Sequence, residues 1–178
     1  DKIIKKITKK TKAIIFVDLY GNFPKIKKLK EIAKKFNLFL IEDAAEALGS
    51  SLDGTKAGCL GDISVHSFQR TKTITSGEGG FLLTNNKKFI NRVKLLRDLG
   101  RSKKDMYYAE EIAPKYIPSN LNATMVLGQF KRINEILYKK KKNFFLYKKF
   151  LSNLENLQFN IDNKNEKNGF WVTSIVFS

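Results

Sequence analysis

Two short motifs hold the side chains of this 178-residue chain that are most capable of chemistry. Residues 41–49 read IEDAAEALG and place Asp43 at the end of an apolar run. Further along, Lys72 lies on a hydroxyl-rich stretch just before the glycine-rich residues 77–80. A carboxylate at a strand end and a lysine on a polar loop ahead of glycines are the groups that a pyridoxal phosphate site requires. The two motifs mark residues 41–80 as the candidate site.

The pair Glu42-Asp43 allows three interpretations: a solvated strand end, a metal-binding pair like that of an NTPase, or a partner for a cationic cofactor atom. An NTPase needs a phosphate loop of the form G-x-x-x-x-G-K-[ST]. Residues 49–56 have the final Thr and Lys reversed and follow the acidic strand, and residues 52–54 are typical of a hairpin tip. The NTPase interpretation is therefore rejected. Adjacent strand residues point to opposite faces, so only one of Glu42 and Asp43 can face a site.

Lys72 is one of 29 lysines, most of which are expected to be solvated surface groups. It differs from the others because hydroxyl side chains crowd the sequence around it: Ser67, Thr71, Thr73, Thr75 and Ser76. Hydroxyls and glycine amides are groups that hold a phosphate. The glycine turn alone is weak support, since glycines between strands commonly form plain turns.

His66 and Cys59 are the only histidine and the only cysteine. His66 falls on a predicted strand and is interpreted as a packed core residue. With one residue of each type, a protein-bound metal site such as zinc is not expected, and no pattern supports a cysteine–histidine nucleophile pair. One cysteine also excludes a disulfide within the chain, so a reducing, cytoplasmic setting is expected.

The elements before the first motif predict how its carboxylates are placed. Apolar runs at residues 12–17 and 38–41 indicate buried strands, and the spacing from Ile26 to Phe36 predicts a helix between them. A strand, helix, strand succession predicts parallel neighbours. Ligands gather at the carboxyl ends of such strands, where Asp18 and Asp43 both fall.

Later elements are predicted more coarsely. The patterns indicate strands at residues 63–68 and 81–84, a helix from Lys87 to Leu99, a loop at 101–118, one long helix capped by Ser119 that continues to about Leu157, and a final strand at 171–178.

The formal net charge of +17 allows two interpretations. A basic surface is the electrostatic footprint of a nucleic-acid or anionic-membrane binder. However, only five of the 34 basic residues are arginines, whereas nucleic-acid readers usually favour Arg forks and exposed aromatics at a focused patch. A solvated lysine-rich surface is preferred, and a basic nucleic-acid-binding protein stays as an alternative.

Length and composition fit one ordinary soluble domain with a real core and leave no room for a second complete one. No signal-peptide pattern is present, and no apolar run approaches the roughly 20 residues of a membrane span. Neither nucleic acid nor membrane is therefore the expected partner. Both ends of the chain are interpreted as cut.

Together, these motifs resemble the pyridoxal phosphate-dependent sugar-nucleotide aminotransferases of the DegT/DnrJ/StrS family. The similarity runs through almost the whole chain and rests on residues 17–21, 41–49, 61–62, 67–72, 77–80 and 119–123, with Gln129 and Arg132. It implies an α/β fold, the three-layer α/β/α large domain of the type I pyridoxal phosphate-dependent transferases, truncated at both ends. Residues 1–145 would form part of this large domain, and residues 146–178 would begin the small C-terminal domain.

The resemblance also implies a role for each matched residue. Lys72 would bind the cofactor covalently as an aldimine and later move a proton between cofactor and substrate carbon. Asp43 would pair with the pyridinium nitrogen, and Ser67 would bind the phosphate. The predicted cofactor site is completed by Ala44, Glu46 and Gln69. Glu46 would lie next to the ring, and an acidic residue there resembles the perosamine-type subgroup that aminates the sugar C4 carbon.

Three positions depart from the family pattern. The family frequently has His where this chain has Asp18, and Gln69-Arg70 is less usual than the residues of its relatives. The usual Asn-Tyr-Arg before the central helix is replaced by residues 115–117, which end in Ile117, so a polar contact to the partner subunit's site is in doubt. The lysine is kept, which argues against dehydratase relatives that carry His there.

The implied function of the full-length parent is transfer of an amino group from glutamate to a keto-deoxysugar nucleotide, as in perosamine synthesis for cell-surface polysaccharide or glycan precursors. Because such sites are built at a subunit interface, the active unit would be a homodimer. Ile117 indicates an alternative, a regulatory or non-catalytic protein of the same fold.

Overall fold

A computed structural model describes residues 2–105 and 107–177. Asp1, Met106 within the predicted loop, and Ser178 at the end of the predicted last strand lie outside the described residues. The strands are β1 (Ala13–Val17), β2 (Phe39–Asp43), β3 (Ser51–Leu52), β4 (Thr55–Lys56), β5 (Ile63–Ser67), β6 (Gly80–Leu83), β7 (Leu157–Phe159), β8 (Glu166–Lys167) and β9 (Ile175–Phe177), and the α-helices are α1 (Ile26–Phe36), α2 (Lys87–Leu96), α3 (Asn120–Phe130) and α4 (Ile133–Phe150).

A four-stranded sheet in the order β1-β2-β5-β6 carries the first half of the chain. Its first three strands are parallel, and β6 joins the edge antiparallel to β5. The predicted parallel pairing of β1 with β2 is therefore confirmed. In the register, Asp43 pairs with Val17 on one side and with Val65 on the other, so the ends of the three strands meet at one edge.

Helices cover this sheet from two sides. The periodicity of α1 buries Ile26, Leu29 and Ala33 against Phe16 and Leu40, as expected for an amphipathic helix on a sheet. On the opposite face, Phe89 of α2 contacts Phe39 edge-on, with ring centroids 5.2 Å apart. Because Phe39 and Leu40 alternate on β2, the two helices lie on different faces. The predicted three-layer α/β/α class is confirmed.

The single long helix predicted from Ser119 is wrong in its extent. Ser119 does cap α3, in a reciprocal box with Asn122, but α3 ends at Phe130 and α4 begins at Ile133. The backbone of Arg132 leaves the helical region, with φ −108° and ψ 15°. Since neither proline nor glycine lies at this break, the apolar spacing could not predict it.

Three other boundaries also differ from the prediction. Helix α2 ends at Leu96 rather than at Leu99, whose φ of 60° is left-handed. Helix α4 ends at Phe150, short of Leu157, which instead begins β7. The final strand covers only Ile175–Phe177 of the predicted segment and pairs antiparallel with β7. The predicted domain boundary between residues 145 and 146 falls within α4 and stays a prediction.

Across residues 2–105 and 107–177, none of the helices combines the length and apolar character that crossing a membrane would need.

Candidate active site

One face of the parallel strands presents the predicted strand-end residues together. Asp43 closes β2 opposite Val65, and Ser67 closes β5 two residues further along. Residues two apart on a strand share a face, so Asp43 and Ser67 lie on the same side of the sheet at neighbouring strand ends. Both residues belong to the cofactor site that the family resemblance implies, and their contact with a cofactor stays a prediction.

The opposite face of the same strands buries Glu42. Its carboxylate accepts hydrogen bonds from the backbone N–H groups of Gly58, Leu60 and Gly61 at 2.6, 2.7 and 3.0 Å, and the residue is 0% exposed. Gly58 approaches the strand so closely that a side chain there would collide with the His66 ring. Glu42 therefore fixes the connection after β4, which confirms that only one of the two adjacent acids faces the site.

Asp18 belongs with Glu42 rather than with Asp43. It directly follows Val17, the last residue of β1, and is 0% exposed. Within the described part of the chain, neither of its carboxyl oxygens has a hydrogen-bond partner. Burial is the main cause that raises the pKa of Asp18 to about 9, and nearby Glu42 adds to the shift. The sequence places Asp18 at the carboxyl end of its strand, where ligands gather, and the structure buries it there beside Glu42.

The structure confirms the interpretation of His66 as a core residue. It is buried and stacks on Phe81, with ring centroids 4.5 Å apart. Burial lowers the pKa of its imidazole, so the neutral ring is the favoured form in this apolar setting.

Lys72 lies on a compact loop between β5 and β6. Its N–H donates to the Gln69 carbonyl at 2.9 Å. The side-chain oxygen of Gln69 in turn accepts from the N–H and hydroxyl of Thr71 at 2.8 and 2.7 Å. Gln69 thus shapes the turn that carries Lys72, and its contacts in the structure are with this turn. Its predicted contact with the cofactor stays a prediction.

Helix α3 holds this loop from outside. The Gln129 amide accepts from the Thr75 N–H at 3.0 Å and donates to the Thr75 carbonyl at 2.6 Å, while Asn122 donates to the Ser76 carbonyl at 2.9 Å. Both polar groups of the Thr75 backbone are therefore satisfied by one side chain, and the loop is tied to α3 by three hydrogen bonds.

The amino group of Lys72 lies between a carboxylate and an aromatic face. Its Nζ is 3.6 Å from the nearer carboxylate oxygen of Glu46 and 3.9 Å from the centroid of the Trp171 ring. The two charged side chains are only 14% and 21% exposed. The structure thus brings together Lys72 and Glu46, two members of the predicted cofactor site, and it adds Trp171, which the sequence did not indicate.

Tyr20 completes this cluster. Its N–H donates to the other oxygen of Glu46 at 3.0 Å, and its ring stacks on Trp171 with centroids 6.0 Å apart. Trp171 also donates its indole N–H to the Thr71 carbonyl at 2.7 Å. Periodicity gave no signal for either aromatic, because Tyr20 sits in a turn and Trp171 in an irregular stretch ahead of β9.

The residues at the strand ends fit a pyridine ring that carries a phosphate. Asp43 accepts from the Ala45 N–H through one oxygen at 3.1 Å, and within the described part of the chain its second oxygen remains able to accept from a pyridinium N–H. Ser67 accepts from the Gln69 N–H at 3.1 Å, which leaves its hydroxyl hydrogen for a phosphate oxygen. Ala44 is fully buried and donates its N–H to the Val65 carbonyl, so its contact with a cofactor stays a prediction.

Most other hydroxyls of the Lys72 loop close the loop itself. Thr75 donates to the Phe68 carbonyl at 2.7 Å, Ser76 donates to the Glu78 carbonyl at 2.6 Å, and Thr73 is buried. The hydroxyls of Thr71, Thr75 and Ser76, which the sequence associated with a phosphate, thus serve as local structure. Ser67 still has a hydroxyl hydrogen to offer a ligand.

The fold and this strand-end site define the class of the pyridoxal phosphate-dependent aminotransferases. Comparison with a known family gives the membership: the chain belongs to the DegT/DnrJ/EryC1/StrS aminotransferase family, whose model matches residues 1–178. Pyridoxal phosphate is the cofactor of this family.

Individual relatives are similar along nearly the full chain. A GDP-perosamine synthase of Escherichia coli O157:H7 is 37% identical over 174 residues, which are 98% of this chain and 47% of that protein. One of Vibrio cholerae is 35% identical over 172 residues, 97% of this chain and 47% of that protein. The Helicobacter pylori aminotransferase PseC, involved in the biosynthesis of pseudoaminic acid, superposes with a TM-score of 0.90 at 26% identity, covering 99% of this chain and 48% of that one. The chain spans about half the length of the curated relatives it matches.

Proposed function

We propose that the protein containing this chain transfers an amino group from glutamate to a keto-deoxysugar nucleotide, with Lys72 as its catalytic residue. The observation that carries the proposal is the position of the Lys72 amino group, which is largely shielded from water and lies 3.6 Å from Glu46 on the loop that follows Ser67. The GDP-perosamine synthases among the relatives support a sugar nucleotide as acceptor.

When bound, pyridoxal phosphate would supply an aldehyde and an electron-withdrawing ring. Asp43 would keep the ring nitrogen protonated through its free oxygen, and Ser67 would hold the phosphate. The amine of Lys72 would attach the cofactor and carry the proton to and from the substrate carbon, because it is the nucleophilic nitrogen on the site side. Glu46 would orient that amine through the contact it already makes.

A spectroscopic half-reaction tests this function in the full-length protein. We expect glutamate to convert the bound cofactor to its amine form, seen as a loss of visible absorbance, and a keto-sugar nucleotide to reverse the change. Mass spectrometry of the product would then show an amino sugar nucleotide. Lys72→Ala should abolish the conversion, whereas Lys142→Ala, on the exposed side of α4, should leave it unchanged.

Two other results would contradict the proposal. Retention of the cofactor without conversion by glutamate would favour the non-catalytic alternative. Failure to retain the cofactor in a folded protein that binds DNA with steep salt dependence would favour the basic-surface alternative.

The proposal extends to a homodimer in the cytoplasm, which the sequence resemblance implies. Light scattering of the purified full-length protein would test the dimer, since a monomeric mass at assay concentration would contradict it. Cell fractionation would test the compartment, and recovery of the enzyme in the membrane fraction would contradict it.

A further inference from the structure

Trp171 reaches Lys72 from the far end of the chain. Almost 100 residues separate the two in sequence, yet the ring centroid lies 3.9 Å from the Lys72 Nζ. Aromatic faces attract cations, and the attraction strengthens where water is partly excluded. The Lys72 side chain is only 14% exposed, so the ring lies against an amine that is already largely shielded from water.

The contacts around Trp171 form a closed circuit. Trp171 stacks on Tyr20, the Tyr20 N–H binds Glu46, Glu46 contacts Lys72, and Lys72 lies under the Trp171 ring. The indole N–H also binds the Thr71 carbonyl beside the lysine. Each member comes from a different segment of the chain, so moving one of them disturbs the position of the amine.

Tyr20 is itself held firmly in an unusual backbone conformation. Its φ of 53° is left-handed, which costs energy for a residue with a side chain. The carbonyl of Tyr20 accepts hydrogen bonds from the side-chain amides of Asn160 at 3.2 Å and Asn168 at 3.0 Å. Both amides come from the same C-terminal part of the chain as Trp171.

Helix α4 fixes the other side of Trp171. The Lys140 amino group donates to the Trp171 carbonyl at 2.9 Å, and partial burial lowers the pKa of Lys140. Within the described residues, no carboxylate pairs with this amine, although its neighbours Lys139 and Lys141 contact Glu135 and Asp162. Lys140 thus differs from its neighbours in serving a backbone carbonyl next to the site.

We propose that Trp171 is a positioning residue that holds the Lys72 amine beside Glu46, and that Lys140 of α4 fixes the place of Trp171. The proposal rests on the proposed function, since it concerns the lysine that would bind the cofactor. It adds that the C-terminal segment, and not only the two strand-end motifs, determines how the amine is presented.

Residue-specific amine labelling tests this without cofactor or activity. The full-length protein is treated with trace acetic anhydride at fixed pH, and peptide mass spectrometry gives the labelling rate of Lys72 relative to exposed Lys87 on α2. We expect Trp171→Leu to raise the Lys72 rate about fivefold, since both shielding and cation attraction are lost. Trp171→Phe should give a smaller rise, because a ring face remains.

The helix side of the proposal has its own matched pair of variants. Lys140→Met should raise the labelling rate of Lys72 about twofold, since the hydrogen bond to the Trp171 carbonyl is lost while most of the unbranched side chain is kept. Lys140→Arg should restore the original rate by keeping a donor. Lys142→Met, an exposed neighbour on α4, should leave it unchanged.

Circular dichroism and thermal unfolding show whether each variant is folded. The proposal would be overturned if the labelling rate of Lys72 were unchanged in a folded Trp171→Leu variant. It would also be overturned if that rate were the same in Lys140→Met as in Lys142→Met. If Trp171→Leu does not fold, the labelling rates of Lys72 in Trp171→Phe and in the two methionine variants of Lys140 and Lys142 test the proposal in the same way. Absence of a cofactor adduct at Lys72 in the wild type would instead contradict the proposed function. The labelling rates do not depend on that adduct and would still test the position of the amine.

Discussion

The two faces of strands β1, β2 and β5 treat acidic side chains differently. On one face, Glu42 is fully buried and its carboxylate is bound by three backbone N–H groups, whereas the two carboxyl oxygens of buried Asp18 find no hydrogen-bond partner among the described residues. On the other face, Asp43 has one oxygen that no group in the described part of the chain occupies, and just beyond the strand end Glu46 contacts Lys72. Glu42 and Asp43 are adjacent in the sequence, yet they lie on opposite faces. The difference shows that the role of an acidic side chain here depends on which face of the sheet it points to and on its partners. Its position at a strand end does not decide that role.

The largest expected effect concerns Asp43. Asp43→Asn keeps the shape but removes the charge that would hold a ring nitrogen protonated, so turnover should fall on the order of a thousandfold with little change in thermal stability. Steady-state assays and thermal unfolding of the full-length protein measure both. Asp53→Asn at the exposed hairpin tip is the control. A large loss of stability with normal turnover would place Asp43 on the structural side of the comparison.

Asp18 should govern stability as a function of pH. Because its folded-state pKa is raised to about 9, the protonated form is favoured by folding, and the stability it contributes is complete below the unfolded pKa and lost as pH rises toward 9. Asp18→Asn should therefore be nearly neutral at pH 4 and stabilise by about 4 kcal/mol at pH 7. Urea unfolding across this range measures the difference. If the difference in unfolding free energy between Asp18→Asn and the wild type did not grow with pH, Asp18 would not be buried in its protonated form.

Glu42 should behave as a purely structural acid. Glu42→Gln replaces one accepting oxygen with a donor that faces backbone N–H groups, so it should destabilise the fold by about 3 kcal/mol. Glu31→Gln on the exposed side of α1 is the control, and urea unfolding measures both. If Glu42→Gln abolished cofactor attachment while stability stayed normal, the separation of the two faces would be wrong.

The smallest expected effect tests how α3 supports the site face. Gln129→Leu removes both hydrogen bonds to Thr75 and should cost about 1–2 kcal/mol. Since the loop carries Lys72, cofactor affinity should fall more than global stability. Gln158→Leu on exposed β7 is the matched control. Unchanged affinity in a cofactor titration would show that the loop keeps its shape without α3.

Sequence patterns could predict the elements that depend on local periodicity. The apolar spacing of α1 and the runs of β1 and β2 gave those elements and their parallel pairing, and the alternation of β2 separated Glu42 from Asp43. The motif at Lys72 led to the site because its residues are close in sequence. Each of these features depends on residues that are close together in the sequence.

Long-range contacts could not be predicted in the same way. The pairing of Trp171 with Lys72 depends on how residues far apart in sequence meet, and nothing near Trp171 marks it as part of a site. The break at Arg132 and the burial of Asp18 likewise follow from tertiary packing. For Asp18, the sequence correctly gave the strand end but not the face.

Chemical trapping of the cofactor tests the central claim most directly. The full-length protein is incubated with pyridoxal phosphate, reduced with borohydride, and mapped by peptide mass spectrometry. The account predicts one stoichiometric adduct at Lys72, lost in Lys72→Ala and kept in Lys142→Ala. Labelling scattered over surface lysines, with Lys72 no more modified than Lys142, would contradict it.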